Sequence, residues 1–147
     1  MRALLQRVLE ASVKVEGVAT GTIGPGLLVF LGVGKGDSDA EAVALADQVA
    51  ALRIFEDQQG KMNRSLLETS RALLSVSQFT LYADTRKGRR PSFVDAMEPS
   101  EARRQWEVFN QRCRELGLGV EVGVFGGDMK VALVNDGPVT IWLDTRA

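Results

Sequence analysis

Leu27-Leu28-Val29-Phe30-Leu31 is an unbroken apolar run bounded by Gly26 and Gly32. Its length and flanking glycines read as a buried strand rather than a helix. Gly32-Val33-Gly34-Lys35-Gly36 then turns the chain, and Ser38-Asp39-Ala40-Glu41 has the capping-box pattern, with Ser38 as N-cap and Glu41 three residues on. Val43, Ala46, Val49, Ala50 and Phe55 continue at helical spacing, which predicts a helix from about Asp39 to about Phe55. This is the one clean strand-helix-strand unit in the chain; most of what surrounds it reads as strand.

Upstream, Ala3 to Glu10 is mixed apolar and polar, and Ser12-Val13-Lys14-Val15-Glu16 alternates with the period of a half-buried strand. Gly17, Gly21, Gly24 and Gly26 mark turns and bends, as does Asp57-Gln58-Gln59-Gly60-Lys61. Downstream, Ala72 to Leu81 reads as a strand whose second half grows polar, and Asp84 to Ser92 as a basic loop. A second helix is expected from Pro99 to Leu116, with proline in its first turn and Gly117 as its stop. Ala102, Trp106, Phe109, Cys113 and Leu116 share one face of it, so Cys113 is expected to be a buried structural thiol. Val120–Phe125, Lys130–Val134 and Val139–Leu143 are strand-like. The expected class is α+β: a single domain over residues 1–147, mostly antiparallel sheet forming a barrel-like core, with two main helices.

Composition narrows the chemistry. The 147 residues are 45% hydrophobic and 25% charged, with 18 Lys and Arg against 19 Asp and Glu, for a net charge of −1. A polycation that coats nucleic acid is excluded; such contacts need a local patch. There is no histidine, which removes Ser-His-Asp and Cys-His catalysis, His general bases and His-ligated zinc. One cysteine, Cys113, allows no intrachain disulfide and no multi-Cys metal site, and no metal or cofactor is expected. The first residues lack an apolar h-region, and no apolar run approaches the roughly 20 residues needed to cross a bilayer, so a cytoplasmic protein without membrane contact is expected.

Four segments carry candidate chemistry. Gly32 to Gly36 follows a strand and precedes a helix as a phosphate cradle would, but Gly36 stands where a P-loop needs Ser or Thr, and Asp37 where a dinucleotide motif needs its third glycine. A plain turn is the better reading. Arg86, Lys87, Arg89 and Arg90 crowd four cations into five residues, either as a solvated loop or as a phosphate-binding segment. Ser77-Gln78-Phe79-Thr80 offers hydroxyls and an amide at the polar end of a strand, where alternation would put Gln78 and Thr80 on one face. Asn135-Asp136-Gly137-Pro138 reads as a turn between two strands. Cis bonds occupy about 5–6% of X–Pro positions in folded proteins, so sequence leaves the Gly137–Pro138 isomer open.

Ser77-Gln78-Phe79-Thr80-Leu81 and Asn135-Asp136-Gly137-Pro138-Val139-Thr140 resemble the two signature motifs of the D-aminoacyl-tRNA deacylases. The similarity also takes in Gln6-Arg7-Val8, Gly26-Leu27-Leu28-Val29, Arg53-Ile54-Phe55, Gly60-Lys61-Met62-Asn63, Arg90-Pro91-Ser92-Phe93 and Asp128-Met129. Gly127 departs from it, standing where relatives often carry Ala. The resemblance implies a homodimer with active sites at the subunit interface, acting on the acceptor end of D-aminoacyl-tRNA. It implies a cis Gly137–Pro138 bond reaching into the partner's pocket to exclude L-aminoacyl groups, with Arg7 orienting that pair. It implies that Gln78, Phe79 and Thr80 are the catalytic segment, and that Ser77, Phe125 and Met129 join Arg7, Gly137 and Pro138 in binding substrate. Arg86, Lys87, Arg89 and Arg90 would then meet tRNA phosphates.

The reaction so implied is hydrolysis of the ester between an amino acid and the terminal ribose, with glycine mischarged on alanine tRNA as a further substrate. Without histidine, Thr80 has no partner to deprotonate it. The expected mechanism is substrate assistance by the neighbouring ribose hydroxyl, with backbone N–H donors at Phe79 and Thr80 forming the oxyanion site. The competing expectation is a non-catalytic nucleic-acid-binding module of the same fold.

Overall fold

The computed structural model describes residues 1–147. In chain order the elements are β1 (Arg2–Val15), β2 (Val18–Ile23), β3 (Gly26–Gly32), α1 (Asp39–Ala51), β4 (Phe55–Glu56), β5 (Met62–Arg64), α2 (Leu66–Thr69), β6 (Ala72–Ser77), a 3-10 turn (Phe79–Tyr82), α3 (Pro99–Glu115), β7 (Val120–Val122) and β8 (Lys130–Asp144). Six strands form one sheet in the order β2-β1-β3-β6-β7, with β8 also paired to β1; β4 and β5 make a separate hairpin. Pairs involving β1 are antiparallel, whereas β3–β6 and β6–β7 are parallel. The class is α+β, as the patterning predicts.

The sheet curls until it nearly closes. A Cβ on Gly21 of β2 would lie 2.7 Å from the Val122 carbonyl oxygen of β7 and 2.9 Å from Leu74 Cδ1 of β6. Only glycine lets the first and last strands approach this closely. Curling gives the sheet an inside, filled by Val8, Val13, Ile23, Leu28, Leu74 and Val76. Its outside is covered by α1 and α3 over Leu5, Leu27, Val29 and Leu31. This is why residues 27–31 show no alternation: β3 is covered on both faces.

The structure corrects several expectations. There are two parallel crossovers, β3–α1–β6 and β6–α3–β7, rather than one strand-helix-strand unit. The second escaped notice because β7 is only three residues long, with Glu121 exposed in its middle. Helix α1 ends at Ala51, not near Phe55: its C-cap Leu52 has ψ 128°, and Phe55 enters the core from β4. A core-facing ring at a helix-compatible offset imitates helical periodicity. The strand expected over Ala72–Leu81 stops at Ser77, and the polar second half is the 3-10 turn. The last two expected strands are one strand, β8, paired to β1 along its length, and Asn135–Pro138 is a bulge within it rather than a hairpin turn. Strand β7 ends at Val122, short of Phe125.

The capping box is formed: the Ser38 N–H donates to the Glu41 carboxylate at 2.6 Å. Ala102, Trp106, Phe109 and Cys113 are buried on the stripe of α3, and Leu116 packs at its edge. Burial pushes the Cys113 thiol from 9.0 up to about 12. The folded state therefore keeps a proton that the unfolded chain loses above pH 9. That contribution to stability is complete below pH 9 and declines as pH rises toward 12. We expect a thiol reagent at pH 8 to label Cys113 only in denaturant, and the melting temperature to drop between pH 9 and pH 11. Prompt labelling of native protein would contradict the buried placement. No helix is long and apolar enough to cross a membrane.

Candidate functional site

Strand β6 delivers Ser77 to the rim of a cavity of about 680 Å³, and the 3-10 turn carries Gln78 and Phe79 along its wall. The β3–β6 pairing ends when the Gln78 N–H donates to the Leu31 carbonyl at 2.8 Å. Gln78 has φ −146° and ψ 81°, and the chain then tightens, with Leu81 N–H donating to Gln78 O and Ala83 N–H to Thr80 O. The N–H groups of Phe79 and Thr80 lie in the first turn of this helix, where main-chain donors have no partner within the helix. Because the segment is helical, period-two alternation does not decide which side chains meet. Gln78 and Thr80 are nonetheless joined: the Gln78 amide donates to Thr80 Oγ1.

The opposite wall comes from α3 and the β7–β8 connection, which brings Phe125 and Met129 to the cavity. Trp106 packs against Phe125 with ring centroids 5.9 Å apart, and its indole N–H donates to the buried Ser75 hydroxyl at 2.9 Å. The Phe79 ring is 56% exposed and meets Phe93 edge-on at 5.1 Å. Sequence reading assigned no site role to Phe93, Met97 or Trp106, all of which line the cavity. Trp106 was visible only as part of an apolar helix stripe, and Phe93 only as the end of Arg90-Pro91-Ser92-Phe93. The lining is mostly apolar, which suits a flat hydrophobic group ordered by a few main-chain donors.

Arg7, Gly137 and Pro138 lie elsewhere, and none of them lines this cavity. Strand pairing places Gln6 opposite Thr140 and Val8 opposite Asn135, so residues 136–139 bulge out against the single residue Arg7. Arg7 is only 6% exposed. Its Nε donates to the Asp136 carbonyl at 3.1 Å and its Nη1 to the Ile54 carbonyl at 2.7 Å, with the Asp136 carboxylate 3.4 Å away. Asn135 closes the base of the bulge, donating to the Arg7 and Val139 carbonyls, each at 3.0 Å. The Gly137–Pro138 bond is cis, and both residues are exposed. The tip is thus polar backbone held from beneath by a buried cation.

The basic loop is closed by a bridge between Asp84 and Ser92, one residue before Phe93. Arg86 grips Asp84 with two donors, at 2.9 and 2.7 Å, and holds the Asp84 carboxyl far below the usual carboxylate range. Lys87, Arg89 and Arg90 remain exposed in the loop that leads to Phe93, itself part of the cavity wall. The Gly32–Gly36 turn curls onto its own acid instead: Gly34 N–H donates to the buried Asp37 carboxylate at 2.7 Å, which also pairs with Arg146 at 3.0 Å. An anion at this turn would meet a carboxylate. No group of three or more His, Cys, Asp or Glu is placed to hold a metal ion.

Comparison with known proteins follows the same outline. The family model described as D-Tyr-tRNA(Tyr) deacylase matches residues 4–144. Two curated relatives are each named D-aminoacyl-tRNA deacylase. One, from Myxococcus xanthus, is 62% identical over 145 residues, covering 99% of this chain and 95% of its own. The other, from Bacillus pumilus, is 54% identical over 146 residues, covering 99% of both. A solved structure named c-Myc DNA unwinding element binding protein superposes with TM-score 0.93 at 38% identity, over the whole of both chains.

Proposed function

The chain belongs to the D-aminoacyl-tRNA deacylase family, a family of ester hydrolases, and from that premise we propose how its geometry performs and restricts the reaction. The observation that carries the proposal is the 3-10 turn at the cavity wall, whose leading N–H groups are free of intrahelical bonds. The terminal adenosine of D-aminoacyl-tRNA occupies the apolar cavity. The scissile carbonyl oxygen, which becomes an oxyanion in the transition state, receives the N–H groups of Phe79 and Thr80. Gln78 fixes the Thr80 hydroxyl, and Ser77, Phe125 and Met129 shape the walls. The chain has no histidine to activate Thr80, so the vicinal ribose hydroxyl assists attack by water.

Rejection of L-aminoacyl groups falls to Gly137 and Pro138. They are exposed and do not line this chain's own cavity, and Arg7 braces the bulge that carries them through the Asp136 carbonyl. A second copy of the chain supplies the cavity they enter, which makes the active unit a homodimer. Backbone carbonyls form a wall that an L side chain strikes, and repulsion discriminates better than a missing methylene in an apolar pocket, worth about 10- to 200-fold. A glycyl ester has no side chain to strike, so glycine mischarged on alanine tRNA also passes. Lys87, Arg89 and Arg90 neutralise acceptor-stem phosphates, and the cytoplasm is the site of action.

Release of free amino acid from D-tyrosyl-tRNA, against the L form, tests the proposal; equal rates would refute the chiral wall. Thr80→Ala should keep kcat within about tenfold of wild type, since the main-chain donor remains while an essential nucleophile would cost orders of magnitude more. A dead but folded Thr80→Ala protein, or a trapped acyl-threonine in wild type, would replace substrate assistance with covalent catalysis. The name of the solved relative favours a second reading, a nucleic-acid-binding module of the same fold. That reading expects salt-sensitive binding to RNA or DNA with no turnover of either ester.

A further inference from the structure

Arg2 opens β1, far from both signature motifs in sequence, yet its guanidinium reaches the far end of the 3-10 turn. Nη1 donates to the Leu81 carbonyl at 2.8 Å, and Nε to the Asp144 carboxylate at 3.1 Å. The guanidinium carbon lies 4.4 Å from the Tyr82 ring centroid and 5.7 Å from that of Trp142. A planar cation between two rings, with donors left for a carbonyl and a carboxylate, is a role lysine fills only in part. Tyr82 is itself seated. It is buried, its hydroxyl lies 3.5 Å from the Asp37 carboxylate, and a Cβ on Gly34 would stand 2.6 Å from its ring. The turn is therefore pinned at its start by Gln78 on Leu31, and at its end by Tyr82 and by Arg2 on Leu81.

We infer that Arg2 is a positioning residue for the reaction, holding the 3-10 turn so that the Phe79 and Thr80 N–H groups meet the scissile carbonyl. This rests on the reading of those two groups as the oxyanion donors. A 3-10 helix rises about 2.0 Å per residue, so Leu81 lies only one to two residues beyond them, and a shift at Leu81 passes to the donors. Arg2 touches no reacting atom. Its loss moves the donors but leaves the walls supplied by Phe93, Trp106, Phe125 and Met129 in place, so it lowers kcat far more than it raises KM.

The test is steady-state deacylation of D-tyrosyl-tRNA by the full chain. Arg2→Ala should lower kcat about tenfold with KM within about twofold, below the roughly 100-fold that a 1 Å misplacement can cost. Arg2→Lys should return kcat to within about threefold of wild type, since its ammonium still reaches the Leu81 carbonyl. Should Arg2→Ala fail to fold, Arg2→Met keeps the stem against the two rings, lacks the donor and carries the same expectation. Adding Arg2→Ala to Phe79→Pro should cost less than Arg2→Ala costs alone, because a donor it positions is already gone. A folded Arg2→Ala protein with wild-type kcat, a raised KM at constant kcat, or fully additive losses would each overturn the inference. Wild-type protein that leaves D-tyrosyl-tRNA intact would overturn the functional reading and this one together. An active wild type matched by Arg2→Ala would overturn this one alone.

Discussion

Phe79→Pro should lower kcat by about 10²–10³, the cost of one oxyanion donor, whereas Phe79→Ala should cost less than about tenfold. The pair isolates a main-chain atom. Proline removes the N–H of residue 79, and both variants remove the ring. The backbone accepts the change: Phe79 is the first residue of the 3-10 turn, where proline's fixed φ is suitable, and Gln78 before it, at φ −146° and ψ 81°, lies outside the helical region that a following proline disfavours. The ring is 56% exposed, and its edge contact with Phe93 is worth about 0.5–1.5 kcal/mol, so both variants should fold. Single-turnover rates with D-tyrosyl-tRNA, alongside melting curves, read the result. If proline and alanine lose the same activity, the Phe79 N–H does not stabilise the transition state and the oxyanion site lies elsewhere.

Arg7→Met should have the second large effect, on stability and handedness together. Methionine keeps much of the stem volume but leaves the Ile54 and Asp136 carbonyls without their donor. One carbonyl is buried and the other partly so, which sets the loss at about 2–4 kcal/mol. For a chain of this size that lowers the melting temperature by roughly 5–15 °C. The bulge at residues 136–139 then loses its brace, and the ratio of D to L turnover should fall at least tenfold, about 1.4 kcal/mol of discrimination. Arg7→Lys should fall between, because one ammonium cannot span two carbonyls with the geometry of a fork. Undiminished stereoselectivity in folded Arg7→Met would mean that the discriminating wall does not depend on the Asn135–Pro138 bulge.

Both predictions concern segments whose residues were evident from sequence and whose shapes were not. Ser77-Gln78-Phe79-Thr80 was visible as a polar end to an apolar strand, but strand periodicity gives the wrong geometry, since the 3-10 turn begins where pairing with Leu31 stops. Asn135-Asp136-Gly137-Pro138 has the composition of a hairpin turn. That a single strand, β1, pairs on both sides of it is a long-range fact with no local signal, and it turns the segment into a bulge braced by Arg7. Phe93 stands out in sequence only as the end of Arg90-Pro91-Ser92-Phe93 and Trp106 only as part of an apolar helix stripe, because a cavity wall and a core face have the same apolar composition.

Local chemistry was enough for β3, buried on both faces, for the capping box of α1, for the Pro-to-Gly limits of α3, and for the exclusion of histidine chemistry. Each depends on neighbours within a few residues, or on residues that are absent. The 3-10 turn at the cavity wall, the brace under the Gly137–Pro138 bulge, and the reach of Arg2 to Leu81 were settled only by the closing of the barrel. They join positions 47 to 129 residues apart through main-chain atoms, which every residue carries, so no side-chain pattern can announce them.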